Sequence, residues 1–351
     1  MPERRKQIES AIKQGDRLFP LPVHIDKDFK LFVKTTTNGI EFGTRIHHIN
    51  GIDAIEITKH LVGRTRGDNS DIRRSLVAST FAENLWQFYG SSKIFNLEIK
   101  KGEEIKRITI KGSLDLLSKR NGNKKFEDKY SFKLLADNQV GYLKANTFYL
   151  PEGTEKLNAL TDSMFKELRD KGSKYLIVDI RENGGGFDEL WIDGIISYTA
   201  KKKVQRMSHY IGRVGETDEV FPGRLGEVAI YDFKGEIEVS EKPKFNEEIY
   251  LIVGRKTYSS AIMFASVIKD NQLGKIVGQE ATTLGRGCST GRFVFHDMKT
   301  SGLIAFTPEH WYQRNFKGSC MEGVKVDIQL SDSPYNKREI VDSLVKKLIN
   351  K

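Results

Sequence analysis

The chain has 351 residues, with hydrophobic residues at 38%, charged residues at 30% and a formal net charge of +10. A chain of this length can form two domains with a sizeable core. No apolar run approaches the ~20 residues of a membrane span, so the composition predicts a globular protein. The basic residues are dispersed among many acids, which indicates a lysine-rich solvated surface and no nucleic-acid partner.

The N-terminal part of the chain is predicted to be a β-rich module. Residues 1–25 contain a polar helix and a lead-in, and the module itself is expected over 26–112. Its run 43–52, GTRIHHINGI, contains an Asn-Gly pair that suits a tight turn between strands. This run resembles the corresponding turn of PDZ-like domains, which add a peptide as a further strand and capture its C-terminus. The rival interpretation is an ordinary β-rich accessory domain without a peptide groove.

The C-terminal part is predicted to be an α/β core. Residues 113–138 are polar and lysine-rich and are expected to form a linker or an exposed hairpin. From residue 139 to residue 351 strands alternate with helices, starting with a strand at 139–146 and a helix at 152–171. This alternation is typical of a core with a partly parallel sheet.

Two strand ends within this core carry the residues of chemical interest. The buried strand Lys174–Arg181 is followed by Glu182, Asn183 and three glycines at 184–186. Successive glycines at a strand end let a ligand approach the backbone closely and leave N–H groups exposed. The sequence therefore predicts an anion-binding backbone loop after this strand.

The second strand end carries two serines. Glu248–Gly254 is predicted to be a buried strand and residues 261–268 a buried helix, with Ser259 and Ser260 in the turn between them. Such a turn exposes a hydroxyl and leaves the N–H of the next residue free at a helix N-terminus. A nucleophile with an oxyanion donor beside it needs both features. A second interpretation is that a serine here only caps the helix.

Taken together, these segments resemble the S41 peptidases, the family of tail-specific or carboxyl-terminal processing proteases with a tricorn-like core. The matching segments are DIRENGGG at 179–186, TYSSAIMFA at 257–265, KDN at 269–271, GKIVG at 274–278, GRG at 285–287 and EGVKVD at 322–327. The resemblance spans roughly residues 17–345. It implies an α/β fold with a ClpP/crotonase-like catalytic core and a PDZ-like β-rich N-terminal module.

The resemblance also implies an activity. A serine endopeptidase of this type cleaves polypeptides through an acyl-enzyme at Ser259, with the N–H groups of Gly185 and Ser260 as the oxyanion hole. Gly184 and Gly186 are left open as alternatives to Gly185. The partner is then a polypeptide substrate bound by its C-terminal tail, and no cofactor is needed. No metal site is expected either, because Cys288 and Cys320 lie in no metal-binding pattern. Whether these two cysteines pair is left open, as is the oligomeric state.

The general base is where the chain departs from the family pattern. The family's lysine position is Arg286, whose guanidinium stays protonated and so cannot accept a proton. Ile262 stands where the family has a glutamate, and the only upstream histidine, His24, lacks the family's Asp-Gly-His pattern. Three further residues are candidates for supporting the site: Asp270, His310 and Glu322.

Alternatives to an active peptidase follow from these departures. One is a catalytically impaired S41-like protein that binds peptides or a small apolar ligand. Another is an acyl-CoA enzyme of the crotonase fold, which fits the glycine loop but explains neither the PDZ-like run nor the Ser259 turn. Residues 1–7 lead into no apolar stretch, so we expect a cytoplasmic protein unless an export signal lies upstream, as in many family members.

Overall fold

The computed structural model describes most of the chain, in two compact units. The described residues are 2–67, 69–101, 104–114, 125–215, 223–231, 235–279, 282, 285–301, 303–314, 319 and 321–351. Unit 1 comprises residues 1–125 and 332–339, and unit 2 comprises residues 126–331 and 340–351. Much of the expected linker, 115–124, and also Cys320 lie outside the described residues.

Unit 1 is a β-rich module built on an antiparallel sheet. Its described strands are β1 (Val23–Ile25), β2 (Leu31–Val33), β3 (Arg45–Ile49), β4 (Ile52–Asp53), β5 (Ile94–Lys101) and β6 (Glu104–Lys111). Its described helices are α1 (Pro2–Lys13), α2 (Ala54–Gly63), α3 (Ser70–Ser79) and α4 (Phe81–Tyr89). The strand order is β1-β2-β3-β5-β6, with β4 paired to β3. This agrees with the β-rich module that the sequence predicts, whereas its PDZ-like character remains a prediction.

One helix of unit 1 is broken where the sequence pattern appears continuous. The spacing of apolar residues favours a single helix over residues 71–89, but α3 ends at Ser79 and α4 begins at Phe81. Thr80 between them has φ −122° and ψ 25°. Its hydroxyl donates to the carbonyl of Leu76 at 2.9 Å. A threonine side chain that bonds the preceding turn competes with the helical backbone, and this local competition is invisible in the apolar spacing.

Unit 2 is an α/β domain. Its described strands are β7 (Tyr130–Leu135), β8 (Val140–Ala145), β9 (Tyr175–Asp179), β10 (Val204–Gln205), β11 (His209–Arg213), β12 (Val228–Tyr231), β13 (Glu236–Ile237), β14 (Glu248–Ile252), β15 (Lys275–Gly278), β16 (Cys288–Met298), β17 (Leu303–Gln313) and β18 (Ile328–Gln329). Its described helices are α5 (Phe126–Lys129), α6 (Glu155–Asp170), α7 (Glu189–Trp191), α8 (Ser197–Thr199), α9 (Ser260–Asp270) and α10 (Glu339–Ile349).

The main sheet of unit 2 has the strand order β18-β15-β14-β9-β8-β7. All neighbours in it are parallel except β7 and β8. Alternate residues of each strand face opposite layers. Leu176 and Val178 of β9 pack in the layer that contains α6 and α9, whereas Ile177 packs in the layer that contains α10. Burial of the sheet on both faces explains why its strands read as nearly continuous apolar runs.

The register of the two central strands positions the candidate site. Asp179 at the end of β9 lies opposite Ile252 at the end of β14 in a parallel pair. The two turns that follow therefore leave the sheet at the same edge, at the carboxyl ends of adjacent strands, where ligands bind in open α/β sheets. In this way the fold brings the glycine loop and the serine turn together.

Two stretches of unit 2 differ from the sequence expectation. Residues 130–135, expected in a linker or exposed hairpin, form β7 of the main sheet with Tyr130 buried, so unit 2 begins before residue 139. The sequence pattern favours one helix over residues 187–200, but a π-helical segment, Ile192–Ile196, interrupts it between α7 and α8. In the part of the chain that the structure describes, none of the helices combines the length and hydropathy needed to cross a bilayer.

Candidate active site

The turn after β14 is fixed to the end of β9 by a buried threonine. Thr257 Oγ1 donates to the carbonyl of Ile180 at 3.0 Å and accepts from the N–H of Gly254 at 3.0 Å. Because Thr257 is fully buried, these bonds are protected from water. The turn that carries the two serines is therefore held rigidly to the neighbouring strand.

Ser259 has the backbone conformation of a strained elbow. Its φ is 54° and its ψ is −126°, a left-handed combination that a residue with a side chain rarely adopts. Strain of this kind costs of order 1–3 kcal/mol. The residue is exposed and occupies the N-cap position of α9, yet its side chain makes no capping hydrogen bond. The simple capping interpretation therefore does not account for this serine.

The loop after β9 is organised by Asn183, a fully buried residue. The side-chain amide of Asn183 donates to the carbonyl of Ala145 at 3.0 Å, and its Oδ1 accepts from the N–H of Gly185 at 2.9 Å. The carbonyl of Asn183 also accepts from the N–H of Tyr258, at 3.1 Å. One residue thus connects β8, the glycine loop and the serine turn. The glycines draw attention to this loop in the sequence, but only the structure reveals that Asn183 holds it.

Two glycines of this loop are required by close contacts. A Cβ on Gly185 would lie 2.7 Å from Cβ of Ser259, and a Cβ on Gly186 would lie 1.9 Å from the carbonyl oxygen of Phe148. Their φ values are +96° and +141°. The structure therefore brings Gly185 against Ser259, as an oxyanion site requires.

The N–H groups near Ser259 differ in their availability. The N–H of Gly185, a predicted oxyanion donor, already donates to Asn183. Among the described residues, none accepts a hydrogen bond from the N–H of Gly186 or from the N–H of Ser260, the first residue of α9. Two backbone donors beside the serine turn are therefore available to bind negative charge.

The side chain of Ser260 belongs to a buried polar network. Its hydroxyl donates to Asp188 and accepts from Trp191 Nε1 at 2.9 Å. Asp188 is in turn ion-paired with Arg206 at 2.6 Å. This network fixes the first turn of α9 and hence the direction of the Ser260 N–H. The acid at 188 suits a helix start, but its bond to Ser260 depends on the tertiary fold.

The predicted supporting residue Asp270 lies at the far end of α9 from the serine turn. Asp270 ends α9, about 15 Å along the helix from Ser260, and forms an ion pair with Arg286. The backbone N–H of Arg286 donates to the carbonyl of Glu322 at 2.9 Å. Because Arg286 is buried beside Asp270, the family's lysine position does not place a base at Ser259 here.

The two histidines that the sequence singles out, His310 and His24, make other contacts. His310 is buried, and its Nδ1 lies 3.5 Å from the hydroxyl of Tyr210, which donates to the hydroxyl of Tyr312 at 2.8 Å. Burial, reinforced by the Tyr210 hydroxyl, raises the pKa of Tyr312. His24 lies in β1 of unit 1 with its ring against the edge of Tyr335. Within the described ranges, no side chain is hydrogen-bonded to Ser259 Oγ.

An ion pair that sequence reasoning missed also lies at the carboxyl ends of the strands. Lys256, three residues before Ser259, contacts Glu182 at 2.7 Å, and both side chains are about one-third exposed. An ion-paired ammonium has no lone pair with which to accept a proton. The sequence could have indicated this ion pair, because Glu182 and Lys256 follow two strands that are adjacent in the sheet.

Comparisons with known proteins agree with this architecture. The sequence model of peptidase family S41 matches residues 139–330. A tail-specific protease of Haemophilus influenzae is 24% identical over 213 residues, which cover 58% of this chain and 26% of that protein. The match thus spans about a quarter of the relative's length.

Solved structures share the fold at low sequence identity. A crystal structure of mature CPAF superposes with a TM-score of 0.62 at 15% identity, covering 96% of this chain and 84% of that chain. A crystal structure of a CPAF mutant gives a TM-score of 0.64 at 15% identity, covering 96% and 85%. These likenesses support an α/β core accompanied by a β-rich module.

Proposed function

The chain belongs to peptidase family S41, and we propose that it is a serine endopeptidase that cleaves polypeptides through an acyl-enzyme at Ser259. The observation that carries the proposal is the left-handed conformation of Ser259, which presents an exposed hydroxyl beside the glycine loop. Backbone strain persists where the surroundings enforce it, and such strain clusters at active sites.

The proposed reaction has two halves. Ser259 Oγ attacks the scissile carbonyl carbon while its proton passes to a general base, and a tetrahedral oxyanion forms. The C–N bond then breaks, the amine takes up the proton and leaves, and an ester on Ser259 remains. Water attacks this ester, which releases the carboxylic acid and restores the hydroxyl.

Backbone donors are proposed to stabilise the oxyanion. We assign this role to the N–H groups of Ser260 and Gly186, because the N–H of the predicted donor Gly185 is engaged by Asn183. Each such donor is typically worth about 3 kcal/mol in the transition state. Gly185 then contributes by permitting the close approach of the loop to Ser259.

The general base is the part of the machinery that the described contacts do not supply. Catalytic hydrogen bonds are often long or poorly aligned before substrate binds, and they tighten in the complex. We propose that substrate binding completes the contact to Ser259. The candidates for the base in unit 2 are His310 and, once it is released from Glu182 and has lost its proton, Lys256. The variant of His310→Ala and Lys256→Met that abolishes acylation identifies the base.

The substrate proposal concerns unit 1. We propose that this module binds the C-terminal tail of a polypeptide, by strand addition to an exposed sheet edge. Support comes from the sheet of unit 1, in which β6 is an edge strand and exposes Ile105. Binding of a fluorescent peptide to the full chain, with a free C-terminal carboxylate or with an amide in its place, tests this. Equal affinity for the two peptides would contradict tail capture.

A non-cleaving peptide-binding protein is the second candidate. Arg286 at the family's lysine position and Ile262 at its glutamate position favour it, since both side chains are buried in structural contacts. Under this alternative the serine turn and the glycine loop bind a peptide carbonyl without forming a covalent bond.

Labelling with a fluorophosphonate probe separates the two candidates. We expect the full chain and the Ser131→Ala variant to be labelled, because Ser131 is an exposed serine on β7 of the same unit. Ser259→Ala is expected to lose the label. Labelling that persists in Ser259→Ala would remove Ser259 from the role of nucleophile. A folded wild-type chain that takes no label would favour the non-cleaving alternative.

A further inference from the structure

Two aromatic rings lie stacked and exposed beside the glycine loop. The rings of Tyr149 and Phe187 have centroids 5.5 Å apart, and their planes are inclined by 27°. Tyr149 is 55% exposed and Phe187 is 48% exposed. Single exposed apolar residues are ordinary on protein surfaces. This pair, in contrast, keeps two large rings together in water next to Gly186, whose N–H is a proposed oxyanion donor. Core packing therefore does not explain the pair.

Backbone pairing explains why the two rings meet. Phe148 and Gly186 form a parallel bridge. The N–H of Phe148 donates to the carbonyl of Gly185 at 3.0 Å, and the N–H of Phe187 donates to the carbonyl of Phe148 at 2.6 Å. Successive side chains of paired extended segments point to opposite faces. Phe148 accordingly points into the core, where its ring meets Phe264 edge-on at 5.8 Å. The residues that follow on the two segments lie side by side on the outer face.

The contacts that hold the glycine loop lie on its buried side. Asn183 is fully buried, and its side chain bonds the carbonyl of Ala145 and the N–H of Gly185. Phe148 is buried on the same segment as Tyr149. A ring pair that is half exposed to water buries much less area than these groups do, and so contributes less to holding the loop. The outer faces of the two rings are left for a ligand.

The ring pair lies within reach of a polypeptide bound at Ser259. Phe187 is two residues from Gly185, on which an added Cβ would lie 2.7 Å from Cβ of Ser259. Consecutive Cα atoms are about 3.8 Å apart, so the Cα atoms of Gly185 and Phe187 are separated by at most about 7.6 Å. An extended polypeptide advances about 3.4 Å per residue. The rings can therefore contact a side chain that is one or two residues from the carbonyl that Ser259 attacks.

We infer that Tyr149 and Phe187 form a subsite for an aromatic side chain of the polypeptide substrate, one or two residues from the scissile bond. The inference rests on the proposed peptidase function and adds a substrate preference to it. An incoming ring stacks on the exposed ring faces or meets them edge-on, and both arrangements are favourable. Rigid aromatic side chains provide such contacts at a small cost in conformational entropy. A small side chain such as that of alanine buries little area against either ring, so the pair determines specificity and takes no part in the chemical steps.

Cleavage of a randomised peptide library, read by mass spectrometry, tests the subsite. We expect the wild type to favour an aromatic residue over alanine at one of the four positions within two residues of the cleaved bond. Tyr149→Ala and Phe187→Ala should each lower that preference about tenfold at the same position, because each removes one ring face. The preference is a ratio within one protein, so a general loss of activity does not alter it.

Two further variants serve as controls. Tyr149→Phe keeps the ring and should retain the preference, which separates the role of the ring from that of the hydroxyl. Phe295→Ala is the matched control, because Phe295 is also an exposed aromatic residue in contact with another ring, that of Phe306. It lies in the separate four-stranded sheet of unit 2, so its removal should leave the preference unchanged.

Fluorophosphonate labelling of the same proteins separates failure of the subsite from failure of the proposed function. A wild type that is labelled at Ser259 but prefers no aromatic residue near the cleaved bond, or cleaves no peptide, would overturn the subsite and leave the nucleophile in place. An equal preference in the wild type and in both alanine variants would also overturn it. A wild type that takes no label would overturn the proposed function and the subsite together. If one alanine variant fails to fold, the other decides.

Discussion

Replacing Gly185 by alanine tests whether the close contact between the glycine loop and Ser259 is needed for the reactivity of Ser259. The added Cβ would lie 2.7 Å from both Cβ of Ser259 and the carbonyl oxygen of Tyr258. Ordinary contacts begin near 3.4 Å, so the loop and the serine turn must separate by about 0.7 Å. Overpacking of this kind costs about 1–3 kcal/mol, and the left-handed φ of +96° adds about 1–2 kcal/mol.

Gly172→Ala is the matched control for this prediction. Gly172 also has a left-handed φ, +65°, but a Cβ there would meet nothing within 4 Å. We expect Gly172→Ala to lose only the ~1–2 kcal/mol of backbone strain and to react with a fluorophosphonate like the wild type. Because a displacement near 1 Å can lower a rate about 100-fold, Gly185→Ala should be labelled about that much more slowly. Similar labelling rates in the two variants would refute the inference that this contact organises the nucleophile.

Two more predictions concern single polar contacts. Ser260→Ala keeps its backbone N–H, so it should react with the fluorophosphonate at a rate within a few-fold of the wild type. The lost buried hydrogen bond from Trp191 should lower the free energy of unfolding in urea by about 1–3 kcal/mol. A much slower labelling rate would show that the hydroxyl itself is required. Asp16 accepts hydrogen bonds from Trp86 and Ser91, and these bonds hold its pKa below the ordinary 3.8. A carboxylate whose pKa is lowered in the folded state contributes stability at neutral pH, and this stability is lost as the pH falls through the folded-state pKa. Asp16→Asn should therefore make the free energy of unfolding depend less on pH in the acid range, as measured by Trp86 fluorescence. An unchanged pH dependence would contradict this.

Local patterns made the framework of the site predictable from sequence. A buried strand, a turn with two serines and an apolar helix lie within one stretch, and the observed elements β14 and α9 follow it closely. The glycine loop after β9 is equally local. The parallel alternation of strands and helices then implies that both strand ends meet at one edge of the sheet, as the register of Asp179 and Ile252 confirms.

Long-range contacts were beyond the reach of such patterns. The contacts of Asn183 span β8, the glycine loop and the serine turn, and only the folded chain brings these together. The same holds for Asp270 and Arg286, which lie sixteen residues apart in the sequence and form an ion pair. The break at Thr80 was missed for a different reason, because a side-chain bond to the backbone outweighs apolar spacing there.

The strain at Ser259 bears on whether the site is in use. A left-handed serine costs of order 1–3 kcal/mol, and here the bonds of Thr257 and Asn183 hold the turn in that state. A turn with no role could relax, since a glycine at this position would relieve the strain without disturbing those bonds. The chain instead keeps the strain at Ser259, although structural residues occupy the family's lysine position (Arg286) and its glutamate position (Ile262). This combination favours selection for an exposed hydroxyl and for a proton acceptor at a position other than the family's lysine position. Fluorophosphonate labelling of Ser259 in the His310→Ala and Lys256→Met variants measures directly whether either residue is that acceptor.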